Sequence, residues 1–141
     1  MKSMRLLIDT NIILDWLTHR EQGDDASERI MESCILGENS GYVSVHSLTN
    51  LFYILRKDMS AETRMNLMDY LCTHLHVVAE TNEMVKSVID RPEWKAIEDG
   101  LQMQCAISER LDCIVTRNID DFIYSDVSVI APQDFVERYL T

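Results

Sequence analysis

Asp9, Asp121 and the adjacent pair Glu98 and Asp99 are the residues whose type and placement can do chemistry in this chain. Asp9 ends a short apolar run, Leu6-Leu7-Ile8, and after it Ile12, Ile13, Trp16 and Leu17 recur at helical spacing. The stretch therefore reads as a buried strand feeding a helix, with the carboxylate at the strand's C-terminal end. A second run, Cys113-Ile114-Val115-Thr116, opens onto Arg117-Asn118-Ile119-Asp120-Asp121 in the same way. In a parallel sheet both C-terminal ends open onto one edge, where ligands bind, so Asp9 and Asp121 can face one ion. Glu98 and Asp99 fall in the first turn of a long helix, where the macrodipole favours either. Successive helical residues point about 100° apart, so only one of the two can aim into the crevice. Asp15, one helical turn after Asn11, either lines the same opening or is solvated.

Carboxylates gathered at one place raise each other's pKa unless a cation neutralises them. That repulsion is the reason to expect a divalent ion, and oxygen donors point to Mg²⁺ or Mn²⁺. Such an ion can polarise a phosphodiester oxygen and activate a water for in-line attack. The competing readings are structural: Asp9 as a helix cap, Glu98 or Asp99 as a dipole-favoured acid, and Asp120 in place of Asp121. His19, His46, His74 and His76 have no metal-binding spacing, and Cys34, Cys72, Cys105 and Cys113 form no CxxC pair, so the cysteines read as buried reduced thiols.

The elements that must position these acids alternate between strand and helix. After a polar loop from Thr18 to Asp24, Ala26, Ile30, Met31, Cys34 and Ile35 mark a second helix running to about Leu36. Tyr42-Val43-Ser44-Val45 reads as a second strand, with a helix beginning at His46 or Ser47 and carrying Leu48, Leu51, Phe52 and Leu55. Ser60 then caps a helix bearing Met65, Leu67, Met68 and Leu71, and the two helices form a hairpin. A third strand, 75–79, and a short helix, 81–89, precede the long helix, placed over 94–109 with Ile97, Leu101, Cys105 and Ile107 or Ser108 inward. Strands at 113–116 and 127–130 and a last helix after Pro132 complete the chain. This alternation predicts an α/β fold with a mostly parallel central sheet covered by helices on both faces.

Composition sets the limits. The 141 residues suit one domain, 1–141, and 13 Lys plus Arg against 24 Asp plus Glu give a net charge of −11. Such a surface repels phosphate backbones, so nucleic-acid binding needs a divalent ion, a basic partner or a local basic lip, for which Arg56, Lys57 and Arg64 are the candidates. No apolar run reaches the ~20 residues of a membrane span, and the N-terminus leads straight into a strand. The expectation is a cytoplasmic protein with no membrane association.

Four blocks together resemble the PIN domain family, similar to metal-dependent ribonucleases and to VapC-like toxins: Leu7-Ile8-Asp9-Thr10-Asn11, Ser44-Val45-His46-Ser47-Leu48-Thr49-Asn50, Glu98-Asp99-Gly100-Leu101-Gln102, and Val115-Thr116-Arg117-Asn118-Ile119-Asp120-Asp121-Phe122. Their order and spacing match over nearly the whole chain. The resemblance implies a PIN-like three-layer fold and metal-binding carboxylates at Asp9, Asp99 and Asp121. It also implies Thr116 and Asn118 as polar neighbours that orient the site; Asn11 and Asp15 are further supporting candidates from their place after the first strand. One departure stands out: the family's usual glutamate on the helix after the second strand is Asn50 here, an amide that supplies no charge and cannot act as a base.

The resemblance implies a Mg²⁺- or Mn²⁺-dependent ribonuclease whose partners are RNA and a possible antitoxin protein, and a homodimer, for which the helix hairpin offers Phe52, Tyr53, Met65 and Met68 as apolar contacts. The alternative, motivated by Asn50, is a catalytically weak module that binds RNA or protein without cutting. Aspartyl-phosphate chemistry of the haloacid-dehalogenase kind also uses an Asp after the first strand, but its second acid, two residues on, is Asn11 here.

Overall fold

The computed structural model describes residues 2–18 and 25–140. Most of the loop expected between Thr18 and Asp24 lies outside the described residues. The strands β1 (Arg5–Ile8), β2 (Ser40–Ser44), β3 (His76–Val78), β4 (Cys113–Val115) and β5 (Val129–Ile130) form one sheet in the order β3-β2-β1-β4-β5. Every pairing is parallel. The helices are α1 (Thr10–Thr18), α2 (Ala26–Ile35), α3 (Val45–Ile54), α4 (Ala61–His74), α5 (Asn82–Ile89), α6 (Ile97–Ser108) and α7 (Pro132–Tyr139).

Side chains alternate across the sheet as the pleat requires. Leu6, Ile8, Val43, Cys113 and Val115 pack with Ile12, Ile30, Leu51 and Phe135 from the helices on one face. Leu7, Tyr42 and Ile114 pack with Met103 and Ala106 of α6 on the other. The three-layer α/β arrangement expected from the sequence is therefore present. Leu6, Leu7 and Ile8 are wholly buried, each side chain contributing about 1.5–3 kcal/mol on leaving water, which makes β1 the rigid centre of the molecule. Because β2 lies on one side of β1 and β4 on the other, the strand order reverses at β1 and opens a crevice beyond the carboxyl ends of β1 and β4.

The boundaries correct the sequence reading in four places. Ser44 caps α3, its hydroxyl accepting from the Ser47 N–H at 3.2 Å, so Val45 is helical instead of ending the strand. The long helix begins at Ile97 because Arg91-Pro92 starts a turn closed by the Trp94 N–H on the Arg91 carbonyl, which leaves Trp94 outside the helix. Ile97 and Ile107 are exposed, while Leu101, Met103, Cys105 and Ala106 face inward. Strand β5 loses Val127 and Ser128 since the Ser125 hydroxyl accepts the Val127 N–H and donates to the Val127 carbonyl in a local turn. On α4 only Leu71 is buried, and Met65 is 61% exposed.

Helices α5 and α6 meet at Gly100, where a Cβ would lie 2.5 Å from the Val88 Cγ1. The missing side chain lets the first turn of α6, which carries Glu98 and Asp99, sit close against α5. The thiols are all free, but Cys72 is exposed, against the expectation that all would be buried. Burial pushes the other three up, Cys34 to about 11 and Cys105 and Cys113 to about 12, so they remain neutral thiols.

Candidate functional site

Asp9 leaves the end of β1 with its N–H on the Val115 carbonyl of β4, which seats it beside Thr116. Its carboxylate does more than cap α1. The Thr10 N–H donates to Oδ1 at 2.8 Å, the Gln102 amide donates to Oδ1 at 3.1 Å, the Asn11 amide to Oδ2 at 3.2 Å, and the Thr116 hydroxyl to Oδ2 at 2.7 Å. Donors from α1, α6 and the residue that follows β4 thus fix one carboxylate.

Each donor is held in turn. Thr116 is wholly buried, its N–H is on the Ile130 carbonyl, and its hydroxyl accepts from the Asn118 N–H at 3.0 Å and the Asn11 amide at 3.3 Å. Asn11 accepts from the Arg117 N–H at 3.3 Å. Gln102, also buried, donates to the Ser47 hydroxyl at 3.3 Å, and that hydroxyl lies 2.8 Å from the Ser44 hydroxyl at the cap of α3. Neither Gln102 nor Ser47 was expected as a site residue. The available signal was spacing: Gln102 stands one helical turn after Asp99, on the same face of α6.

Asp99 is half-buried in the first turn of α6, and its carboxyl is pushed up to about 6. Burial is the largest cause, followed by the negative charges of Asp121, Asp9 and Glu98, with His46 opposing them. Asp121 lies in a short 3₁₀ turn, Ile119–Phe122, its N–H on the Asn118 carbonyl. Of the two adjacent acids Asp120 and Asp121, Asp121 is the one whose charge Asp99 feels. The structure thus brings Asp9 and Asp121, from two other parts of the chain, within electrostatic reach of Asp99.

The remaining expected residues lie elsewhere. Asn118 is exposed and enters the site through its backbone N–H. Asp15 is neither solvated nor open to the crevice: it is buried and ion-paired with the Arg117 Nε at 2.6 Å. It acts on the site through Arg117, bracing the backbone that follows Thr116. Asn50 is exposed on α3 one turn after Ser47, outside the hydrogen-bonded set around Asp9. His46 pairs with Glu80, Nδ1 to Oε2 at 2.5 Å, while its N–H donates to the other Glu80 oxygen at 2.9 Å. Arg56 and Arg64, read as a basic lip, instead cover the Tyr53 and Phe52 rings and donate to those residues' carbonyls.

Among the described residues no three His, Cys, Asp or Glu side chains stand gathered as a ready-made metal cage. The donor set nevertheless fits a hard cation. It offers carboxylates on separate elements together with the buried Gln102 Oε1, which has no hydrogen-bond partner. The raised Asp99 carboxyl reflects burial first and, after it, the neighbouring charges of Asp121, Asp9 and Glu98 that a cation would offset.

A sequence model described as PIN domain matches residues 5–120, one residue short of Asp121. No curated protein sequence is significantly similar to the chain. Solved structures share the fold at low identity. The VapBC2 complex of Rickettsia felis, bound to a DNA fragment from its promoter, aligns at a TM-score of 0.67 with 20% identity, covering 91% of this chain and 98% of that one. VapBC-1 from nontypeable Haemophilus influenzae gives 0.67 and 18%, covering 92% and 99%. Mycobacterium tuberculosis VapC20, described as a Sarcin-Ricin loop cleaving toxin, gives 0.62 and 11%, covering 77% and 86%.

Proposed function

This chain belongs to the PIN domain family, and on that premise we propose that it is a Mg²⁺- or Mn²⁺-dependent ribonuclease, the toxin of a toxin–antitoxin pair, working as a single cytoplasmic domain. The observation that carries this reading is the placement of Asp9. A carboxylate held by donors from α1, α6 and the residue after β4, at the sheet's switch point, acts on Asp99 together with the charge of Asp121.

Asp9, Asp99 and Asp121 would hold the ion, which when bound supplies Lewis acidity toward a phosphoryl oxygen and activates the attacking water. Everything else is work done by the chain. Thr116, Asn11 and Gln102 fix the direction of the Asp9 carboxylate, so its oxygens need no reorganisation when substrate arrives. Asp99, with its carboxyl near 6, is largely ionised at pH 7.5 and takes up a proton in mild acid. Asn50 contributes no charge. The same feature favours the second reading, a module that binds RNA or protein and cuts weakly or not at all.

Two partners fit the surface. An apolar groove of about 380 Å³ between α3 and α4 is lined by Val45, Leu48, Phe52, Met65 and Met68 and suits a second copy of the chain. An antitoxin, like the partner proteins named in the VapBC complexes, would complement the net charge of −11 best with a basic segment. A structured RNA pool incubated with Mn²⁺ tests the enzyme. Wild type is expected to cleave and Asp9→Asn to fall to background, and equal behaviour of the two overturns the ribonuclease reading. Light scattering at high micromolar concentration tests the homodimer, and a strictly monomeric mass overturns it.

A further inference from the structure

The acids are only one wall of the crevice. Asp99, Asp120 and Asp121 share a cleft of about 260 Å³ with Trp94, Ile123 and Tyr124. Ile123 is 67% and Tyr124 45% exposed. Single exposed apolar side chains need no explanation. Here an indole, a phenol ring and a branched aliphatic side chain border one small cleft that opens directly onto the carboxylates. Pockets for drug-sized ligands start near ~300 Å³, so this one suits a smaller, flat group.

The aromatic wall is built to stay in place. Trp94 packs edge-on to Phe122 and to Tyr124, with ring centroids 6.3 Å and 6.5 Å away. Arg91 ties the two sides together: its guanidinium donates to the Tyr124 carbonyl at 2.9 Å, to Asp126 at 2.9 Å and to Glu93 at 3.2 Å. Rings ordered in advance bind a partner without losing further side-chain freedom. The charge of the cleft selects what that partner presents. Its acids repel a phosphate, and Lys95 is the one cation among the described lining residues, so the group that enters must offer a neutral, polarisable face and keep its phosphate outside.

We propose that this cleft is a nucleobase subsite, which takes the unstacked base next to the phosphodiester held at the acids, with Tyr124 and Trp94 as its aromatic wall. The proposal rests on the ribonuclease reading for its substrate and adds to it a preference for single-stranded RNA with a base, as opposed to a bare backbone, at one fixed position. Base stacking on an aromatic side chain corresponds to about a tenfold or larger change in affinity.

The test uses a Trp16→Phe background, in which Trp94 is the remaining indole, and short single-stranded RNA oligonucleotides with Ca²⁺ in place of the catalytic ion. Binding is read by anisotropy and the environment of Trp94 by its emission. The expected result is quenching of Trp94 on binding, a loss of about tenfold in affinity for Tyr124→Ala, and a matching loss when one defined position of the oligonucleotide is abasic. Tyr124→Phe should keep the affinity, and unchanged circular dichroism shows that the exposed-site variants fold. Saturable binding with unquenched Trp94, equal binding by Tyr124→Ala, tolerance of an abasic site at every position, or failure to bind RNA at all overturns the proposal. Quenching and base dependence without any cleavage under Mn²⁺ would support the subsite and overturn the ribonuclease reading, whereas cleavage without either would do the reverse.

Discussion

The two halves of the site are built on opposite principles. At the β1–β4 junction the buried Thr116, Gln102 and Ser47 surround the part-buried Asp9, and one hydrogen bond orients the next. Across the crevice, the first turn of α6 and the 3₁₀ turn at Ile119–Phe122 present acids that are half-buried or exposed and feel one another chiefly as charge. Paired polar groups in a low-dielectric interior hold one another in place, so the junction is rigid apart from the unpartnered Gln102 Oε1. Acids at a rim are screened by solvent and tolerate being apart, which leaves that half adjustable. The proposed nuclease would use both: one fixed carboxylate would set the geometry and the others would adapt to an ion and substrate.

Substitutions should therefore differ in kind between the halves, and Asp9→Asn is expected to have the largest effect. It keeps the shape and the Thr10 and Gln102 contacts at Oδ1 but places an amide at Oδ2 against the donors of Thr116 and Asn11, and it removes the charge that the proposed ion would need. Calorimetric titration with Mn²⁺ should show affinity at least a hundredfold lower, together with loss of cleavage. Equal Mn²⁺ affinity in both proteins would remove Asp9 from the site.

Thr116→Val comes next. The shape is nearly kept, while the donor to Asp9 and the acceptor for the Asn118 N–H are both lost. Leaving buried polar groups unpaired costs about 1–3 kcal/mol, and loss of a group that orients a metal ligand lowers metal affinity about 10–100-fold. Thermal melting and Mn²⁺ titration should fall together. A stable variant with normal metal affinity would show that the junction is less rigid than its hydrogen bonds imply.

The rim should respond with the opposite sign. The Asp99 carboxyl rises from 3.8 to about 6 on folding, so the folded chain holds this proton more tightly than the unfolded one. Stability from this group is therefore greatest below 3.8, falls as pH rises to about 6, and carries the full penalty above that. The rise would amount to about 3 kcal/mol for a fully buried group, and solvent screening at a half-buried one reduces this to about 1 kcal/mol. Asp99→Asn should then melt about 3 °C higher than wild type at pH 7.5 and no higher at pH 3.5, while losing cleavage. Equal melting temperatures at pH 7.5 would mean that the rim acids carry no strain.

How much of this was legible in the sequence follows the same division. The sheet is readable because strand periodicity and helical periodicity are local, and so are the strand ends that carry Asp9 and Thr116. Gln102 and Ser47 are less legible: helical spacing puts Gln102 on the Asp99 face of α6, but its bonds to Asp9 and to Ser47 span the fold, and no local pattern announces those. Asp15 was ambiguous for the same reason, since its partner Arg117 lies at the far end of the chain. Trp94 was assigned to a helix because the apolar pattern continues through it. Only the Pro92 turn, which interrupts that pattern, delivers the ring to the cleft wall.

Asn50 tests where the boundary between the halves runs, and its effect should be the smallest. It stands one turn after Ser47 on α3, exposed and outside the Asp9 cluster, so Asn50→Glu should leave melting within about 0.5 kcal/mol, as surface substitutions usually do. A carboxylate there adds negative charge on the face of α3 that carries Ser47, and near a divalent ion such charge favours retention of the ion. Screening at an exposed position limits the gain, so Mn²⁺ affinity and cleavage of structured RNA should rise by about threefold. Unchanged metal affinity would place Asn50 outside the site, and the weak-nuclease reading would lose its motive. A fall in both would mean that the slot belongs to the site but is tuned to an amide, because Asp9, Asp99 and Asp121 already supply as much negative charge as one divalent ion neutralises. Wild type inactive and the glutamate variant active, with Asp9→Asn silent in both backgrounds, would identify a nuclease weakened at this one position.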